Sequence, residues 1–208
     1  MIRILLCAAF LAHIACGYCD CLLSYGIKGR LELKTIKDPE RMKEAFTDVS
    51  LWQPMVSILL GTFSITVFTF GYLALSSWMY GYNRTLSYIM LAAAIVFAVP
   101  IAVHHVICGL VEWFYIRLGR TDEARETVLE FQKKTIVTMA VGYLGLLVFL
   151  ICLFIAVVTG QTPLPRWACV FNTLPLMLLL LPTKLPAKGN IAGTVMFLGL
   201  TKASLCPL

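Results

Sequence analysis

A chain of 208 residues of which 60% are hydrophobic and only 13% charged does not have the balance of a soluble domain, where charged residues make up about 25%. Its apolar residues come in long blocks separated by short charged segments, which is the pattern of a polytopic helical membrane protein and excludes a transmembrane barrel, whose strands alternate apolar and polar residues. The net charge of +6 comes without a basic groove interleaved with aromatics, so it reads as attraction to anionic lipid headgroups and as a topology signal, with no nucleic acid implied.

Taken in chain order, the first apolar block covers about residues 2–20. Arg3 and the small residues near Ala12, Ala15 and Gly17 would also suit a secretory signal, but the charge distribution given below fits a retained helix. In "KDPERMKEAFTDVSLW", Asp38 is placed as an N-cap with Pro39 at the first helical position, and Met42, Ala45, Phe46 and Val49 fall on one face. This segment reads as a short amphipathic helix on the inner membrane surface. The second span, about 52–78, carries Ser57, Gly61, Ser64 and Gly71, a small-residue face suited to close helix packing. The third, about 86–115, contains Pro100 and "HHVICGLVEW".

The loop 116–134 has Thr121 or Asp122 as a helix cap, and its charges read as a solvated face. A fourth span follows at 135–159. The fifth, 165–181, holds Asn172 and Thr173 just before Pro175, where they can satisfy the carbonyl that the proline frees. A sixth, 189–205, stops almost inside its apolar block, leaving five or six crossings open. The expectation is an all-α bundle of about six transmembrane helices forming a single membrane domain over residues 1–208.

Cytoplasmic loops hold the excess of Lys and Arg. With six alternating crossings, Arg3, Arg84, Arg166 and Lys202 fall on one side, while the other thirteen basic residues, from Lys28 to Lys188, fall on the opposite side. This puts both termini outside and the loops 21–51 and 116–134 in the cytoplasm. Asn83-Arg84-Thr85 then forms a glycosylation tripeptide on the outer side.

Six of the eight cysteines lie in apolar blocks, where cysteine behaves as a small hydrophobe. "HIACGYCDC" brings His13, Cys16, Cys19 and Cys21 close together with Asp20 at the inner end of the first span, but a helix spreads these positions around its circumference and no second Cys/His pair follows; Asp20 reads as marking the membrane–water boundary, where a carboxylate remains hydrated. No metal and no cofactor are expected.

The candidate site lies in the third span. His105 and Glu112 are seven residues apart, so they share a helix face with Cys108 near them, and His104 points roughly 100° away. Ionisable residues at this depth usually face the bundle interior or a wet cavity. His104, His105, Glu112 and, from the fifth span, Asn172 are therefore the candidate ligand-binding residues. A purely structural reading competes with this: the histidines would bond to Ser or Thr of the second span, and Glu112 would sit at headgroup level beside Arg117 or Arg120. No phosphate loop, nucleophile elbow, zincin motif or paired carboxylates within a span point to catalysis.

With these residues described, "CDCLLSYGIKGRLELKTIKDPERMKEAFTDVSLW" and the "HH" of the third span resemble an uncharacterised family of multi-pass membrane proteins from Gram-positive, often gut, bacteria. That resemblance implies the bacterial cytoplasmic membrane and carries no activity. A fainter similarity, on His105, Glu112, Trp167 and Asn172, is to the emopamil-binding sterol isomerase group, whose intramembrane His and Glu act on a lipid. The functional expectation is an integral membrane protein that binds or senses a hydrophobic or amphipathic small molecule, with a lipid-modifying enzyme and a small transporter as alternatives.

Overall fold

The computed structural model describes residues 1–203 other than 27, 28, 31 and 32, with backbone alone for 26, 29, 30, 33 and 34. Four stretches of helix are long and apolar enough to cross a membrane. They are α1 (Ile2–Ser24), α4 (Trp52–Met79), α5 (Arg84–Arg117), and the stretch Asp122–Val158, formed by α6 (Asp122–Thr135) and α7 (Val137–Val158). Between α1 and α4 lie a two-stranded antiparallel ladder of two residues per strand (Tyr25–Gly26 with Gly29–Arg30), α2 (Leu33–Lys37) and α3 (Pro39–Phe46).

The C-terminal third departs from the expected fifth span, while the expected sixth is helical as far as the described residues run. Residues 165–181 form a 3-10 helix, Arg166–Phe171, and then α8 (Thr173–Leu180), and the last helix is α9 (Lys188–Ala203). With 8 residues, α8 is about 12 Å long, short of the roughly 20 residues a full crossing needs, and the described part of α9, 16 residues, is about 24 Å. Proline is the physical reason. Pro163, Pro165, Pro175, Pro182 and Pro186 are apolar enough to extend a hydropathy block, yet each lacks the N–H that continues a helix. Leu205, the expected end of the sixth span, lies outside the described residues.

The helices pack in a ring: α1 against α4 and α9, α4 against α5, α5 against α7, and the 3-10 segment and α8 between α7 and α9. The main core includes Leu6, Phe68, Tyr72, Phe97, Phe149 and Phe197. Small residues set its close approaches. A Cβ on Gly145 of α7 would lie 2.6 Å from the backbone nitrogen of Phe97 and 2.8 Å from the carbonyl oxygen of Ala93. Asn83, the residue of the glycosylation tripeptide, is structural here: its Oδ1 accepts from the N–H of Leu86 at the start of α5, and its Nδ2 donates to Gln161 at 2.7 Å.

At 34 residues, α5 is about 51 Å long and outruns a hydrocarbon core of about 30 Å. Its last turns enter a second apolar cluster in which Met42, Phe46 and Val49 meet Ile107, Val111, Tyr115, Ala124 and Val128. Asp38 caps α3 as expected, accepting from the N–H groups of Glu40 and Arg41. The apolar face of α3, however, is spent on protein and not on the membrane surface. The charges of the second loop are also more than a solvated face. Arg120 donates to the carbonyls of Phe46 and Val49, both at 2.9 Å, and Arg125 to those of Ile36 and Lys37. Gly119 and Arg120 both have positive φ, 82° and 59°, and this left-handed turn swings Arg120 back onto α3.

Because the atoms facing Gly145 are backbone and cannot yield, Gly145→Ala is expected to destabilise the bundle by about 1–3 kcal/mol. Gly189→Ala, whose Cβ would meet nothing within 4 Å, serves as the neutral control. Thermal unfolding in detergent micelles measures both, and equal midpoints would refute the close α5–α7 contact.

Candidate functional site

Two helix faces look into one cavity of about 590 Å³. Both carry polar residues at i, i+3 and i+7, the spacing that keeps side chains on one side of a helix: His13, Cys16 and Asp20 on α1, and His105, Cys108 and Glu112 on α5. Ile65, Phe68 and Tyr72 of α4, Phe97 of α5, Leu146 of α7 and Met177 of α8 supply apolar wall, and Met42 and Phe46 of α3 close one end. Thus α3 is a lid on the cavity as well as a wedge between loops.

A chain of hydrogen bonds crosses the site, and its proton positions follow from the partners. Ser57 donates to the carbonyl of Cys19 at 3.1 Å. The Nε2 of His105 lies 3.1 Å from the carbonyl oxygen of Ser57, an acceptor only, so Nε2 carries a proton and donates. The other ring nitrogen, Nδ1, then turns toward Oδ1 of Asp20 at 3.5 Å. The second oxygen of Asp20 accepts from Nδ2 of Asn190 at 2.8 Å. With the Asn190 amide so oriented, its Oδ1 accepts from Nδ1 of His13 at 2.8 Å. That leaves Nε2 of His13 to accept from the hydroxyl of Tyr72 at 3.4 Å.

The rings have fitted seats. His13 stacks on Phe68 with centroids 4.2 Å apart and planes 2° from parallel, and a Cβ on Gly193 would stand 2.6 Å from its ring. A Cβ on Gly61 would fall on the His105 imidazole itself. Here the small-residue face of α4 is both a packing seam and the socket for a histidine.

Each residue expected at the site can now be placed. His105, His104 and Glu112 all line the cavity. Thr138 donates to the carbonyl of Thr135, so it accepts from Nδ1 of His104 at 3.3 Å, and Nε2 of His104 is left to accept from the Cys108 thiol at 3.5 Å. Glu112 differs from all of these. Its Oε2 is buried and has no hydrogen-bond partner, and Arg120, expected beside it, is engaged with α3. Asn172 stands apart, in the break before α8, accepting from the N–H of Leu174 and donating to the carbonyl of Leu150.

Sequence reasoning missed Asp20, Asn190, Ser57 and Tyr72 as site residues. The signal for Asp20 was its i+7 relation to His13. Cys16, Asp20 and His105 also converge, with one donor atom from each lying within 4.8 Å of the others.

A family model described as "Family of unknown function (DUF6796)" matches residues 1–200. The chain belongs to that family. No curated protein and no solved structure matches it, so the function of this DUF6796 protein has to be argued from the site itself.

Gly61→Ala is expected to push the His105 ring off the Ser57 carbonyl and to cost about 1–3 kcal/mol, the usual penalty for an unsatisfied buried group. Ser57→Ala, which keeps that carbonyl, should cost less, about 1 kcal/mol. Unfolding midpoints in micelles decide, and an unperturbed Gly61→Ala protein would place the ring elsewhere.

Proposed function

We propose that this protein, a multi-pass protein of the bacterial cytoplasmic membrane, binds an amphipathic small molecule in its intramembrane cavity. The observation that carries the reading is the buried, unpartnered Oε2 of Glu112 at the wall of a 590 Å³ space. Ligand pockets run from about 300 to 1,000 Å³, apolar with a few convergent polar groups. Among those groups here, the three histidines and Asp20 have partners from the protein, and Glu112 Oε2 has none.

A molecule already dissolved in the bilayer gains little by moving its tail from lipid to Phe68 and Leu146, since lipid tails are as apolar as these side chains. Selectivity therefore rests on the head. A carboxyl oxygen lacking a donor calls for a hydroxyl or an amine, and such a hydrogen bond is worth about 0.5–1.5 kcal/mol net. Entry is from the side. Tyr143 of α7 and Leu185 of the α8–α9 turn border the cavity and are 50% and 45% exposed, which makes that side the route toward lipid.

The 3-10 segment with α8, and then α9, form descending and ascending arms that return the chain to the side it left after α7. Leu164 and Leu200 meet Leu6 and Leu75 at one end of the bundle, and Asn190 lies beside Gly17 toward the other. Both termini are then outside, and the basic loops 21–51 and 116–134 face anionic headgroups in the cytoplasm.

Native mass spectrometry of the protein released from micelles tests the reading. The wild type is expected to carry an amphiphile whose occupancy falls at least about tenfold in Glu112→Ala, the equivalent of about 1.4 kcal/mol. Identical ligand content in the two proteins would sink it.

A further inference from the structure

We propose that Cys16, Asp20 and His105 form a binding site for a divalent metal ion, zinc being the best match. The proposal begins with the contact that hydrogen bonding leaves unresolved. Because Nε2 of His105 donates to Ser57, its Nδ1 presents a lone pair to Oδ1 of Asp20, itself an acceptor, at 3.5 Å. Two acceptors that face each other need a cation between them, either a proton or a metal ion.

Three features favour the metal. The first is the donor set: thiolate, carboxylate and imidazole are the three ligand types of protein zinc sites. Two negative ligands against a dication give a neutral complex, the form that costs least beside hydrocarbon. The second is distance. Ligands bound at about 2.0–2.3 Å in a tetrahedron stand roughly 3.3–3.6 Å apart, which the Asp20–His105 pair already satisfies. Cys16 lies one turn along the same helix face, with the whole set within 4.8 Å, so an inward rotation of its side chain completes the geometry.

The third feature is the support behind the ligands. Metal-bound histidines usually donate their other N–H to a carbonyl, and bound carboxylates are hydrogen-bonded in turn. Here Ser57 holds His105, and Asn190, itself held by His13, fixes the second oxygen of Asp20. All three ligands border the cavity, so the fourth position opens into it, as in zinc sites that accept water or a ligand atom. Glu112 is not a member of the set.

The full chain, purified in detergent without chelator, is expected to hold close to one zinc per chain by elemental analysis. After stripping, it should take up cobalt with a thiolate-to-cobalt charge-transfer band. Cys16→Ser should abolish that band, Asn190→Leu should weaken zinc binding about 10–100-fold, and Cys19→Ser should change neither. Glu112→Gln should retain the metal whatever it does to amphiphile content, which separates this test from that of ligand binding. A wild-type protein that is metal-free and takes up neither ion, or that binds cobalt with no thiolate band, would overturn the proposal and leave a proton between Asp20 and His105. Reading the band in the wild type keeps the test decisive even where a variant fails to fold.

Discussion

A carboxyl group carried on an apolar helix has to be satisfied by other parts of the protein, because hydrocarbon offers no water to do it. For Asp20 the partners come from far along the chain: the Asn190 amide on α9 and the His105 ring on α5. His105 in turn rests on the backbone of α4, and Ser57 of α4 reaches back to the carbonyl of Cys19 beside Asp20. Four helices are thus held by one polar group and what it needs. The cavity is the space these helices enclose, since its polar side is the same set of residues seen from within.

That arrangement explains why small residues sit where they do. The His105 ring occupies the place a Gly61 side chain would take, and the His13 ring presses on Gly193. A histidine between helices needs room that only a missing side chain on the neighbour provides. The α3 side of the cavity uses a different means. There α3 is fastened by arginine donors to backbone carbonyls, and it covers the cavity with Met42 and Phe46.

Much of this was legible in the residues. Long apolar blocks marked the four helices able to cross a membrane, Asp38-Pro39 and Thr121 marked helix starts, and the seven-residue interval from His105 to Glu112 placed both at one cavity. What periodicity could not reveal was partnership across distance. His13 and Asn190 are 177 positions apart, and nothing local to either points to the other. "HIACGYCDC" was read through His13, Cys16, Cys19 and Cys21, which share no face, although His13, Cys16 and Asp20 do. Hydropathy also overstated the fifth span, because it scores proline by its carbon and not by its missing N–H. The docking of α3 escaped for a related reason: an amphipathic face fits a membrane surface and a protein groove equally well.

The distance between Asn190 and its partners also bears on how the protein is made. α1 leaves the ribosome well before α9, and the amide that satisfies His13 and Asp20 follows some 170 residues later. At roughly 5–20 residues per second this is a wait of about 10–30 s. Throughout that interval α1 carries two polar side chains whose last partner is still unsynthesised. Assembly is therefore ordered in time: α4 and α5 can hold α1 in place, but only arrival of α9 closes the network. A chain truncated before residue 190 would leave an incomplete bundle in which His13 and Asp20 lack the Asn190 amide.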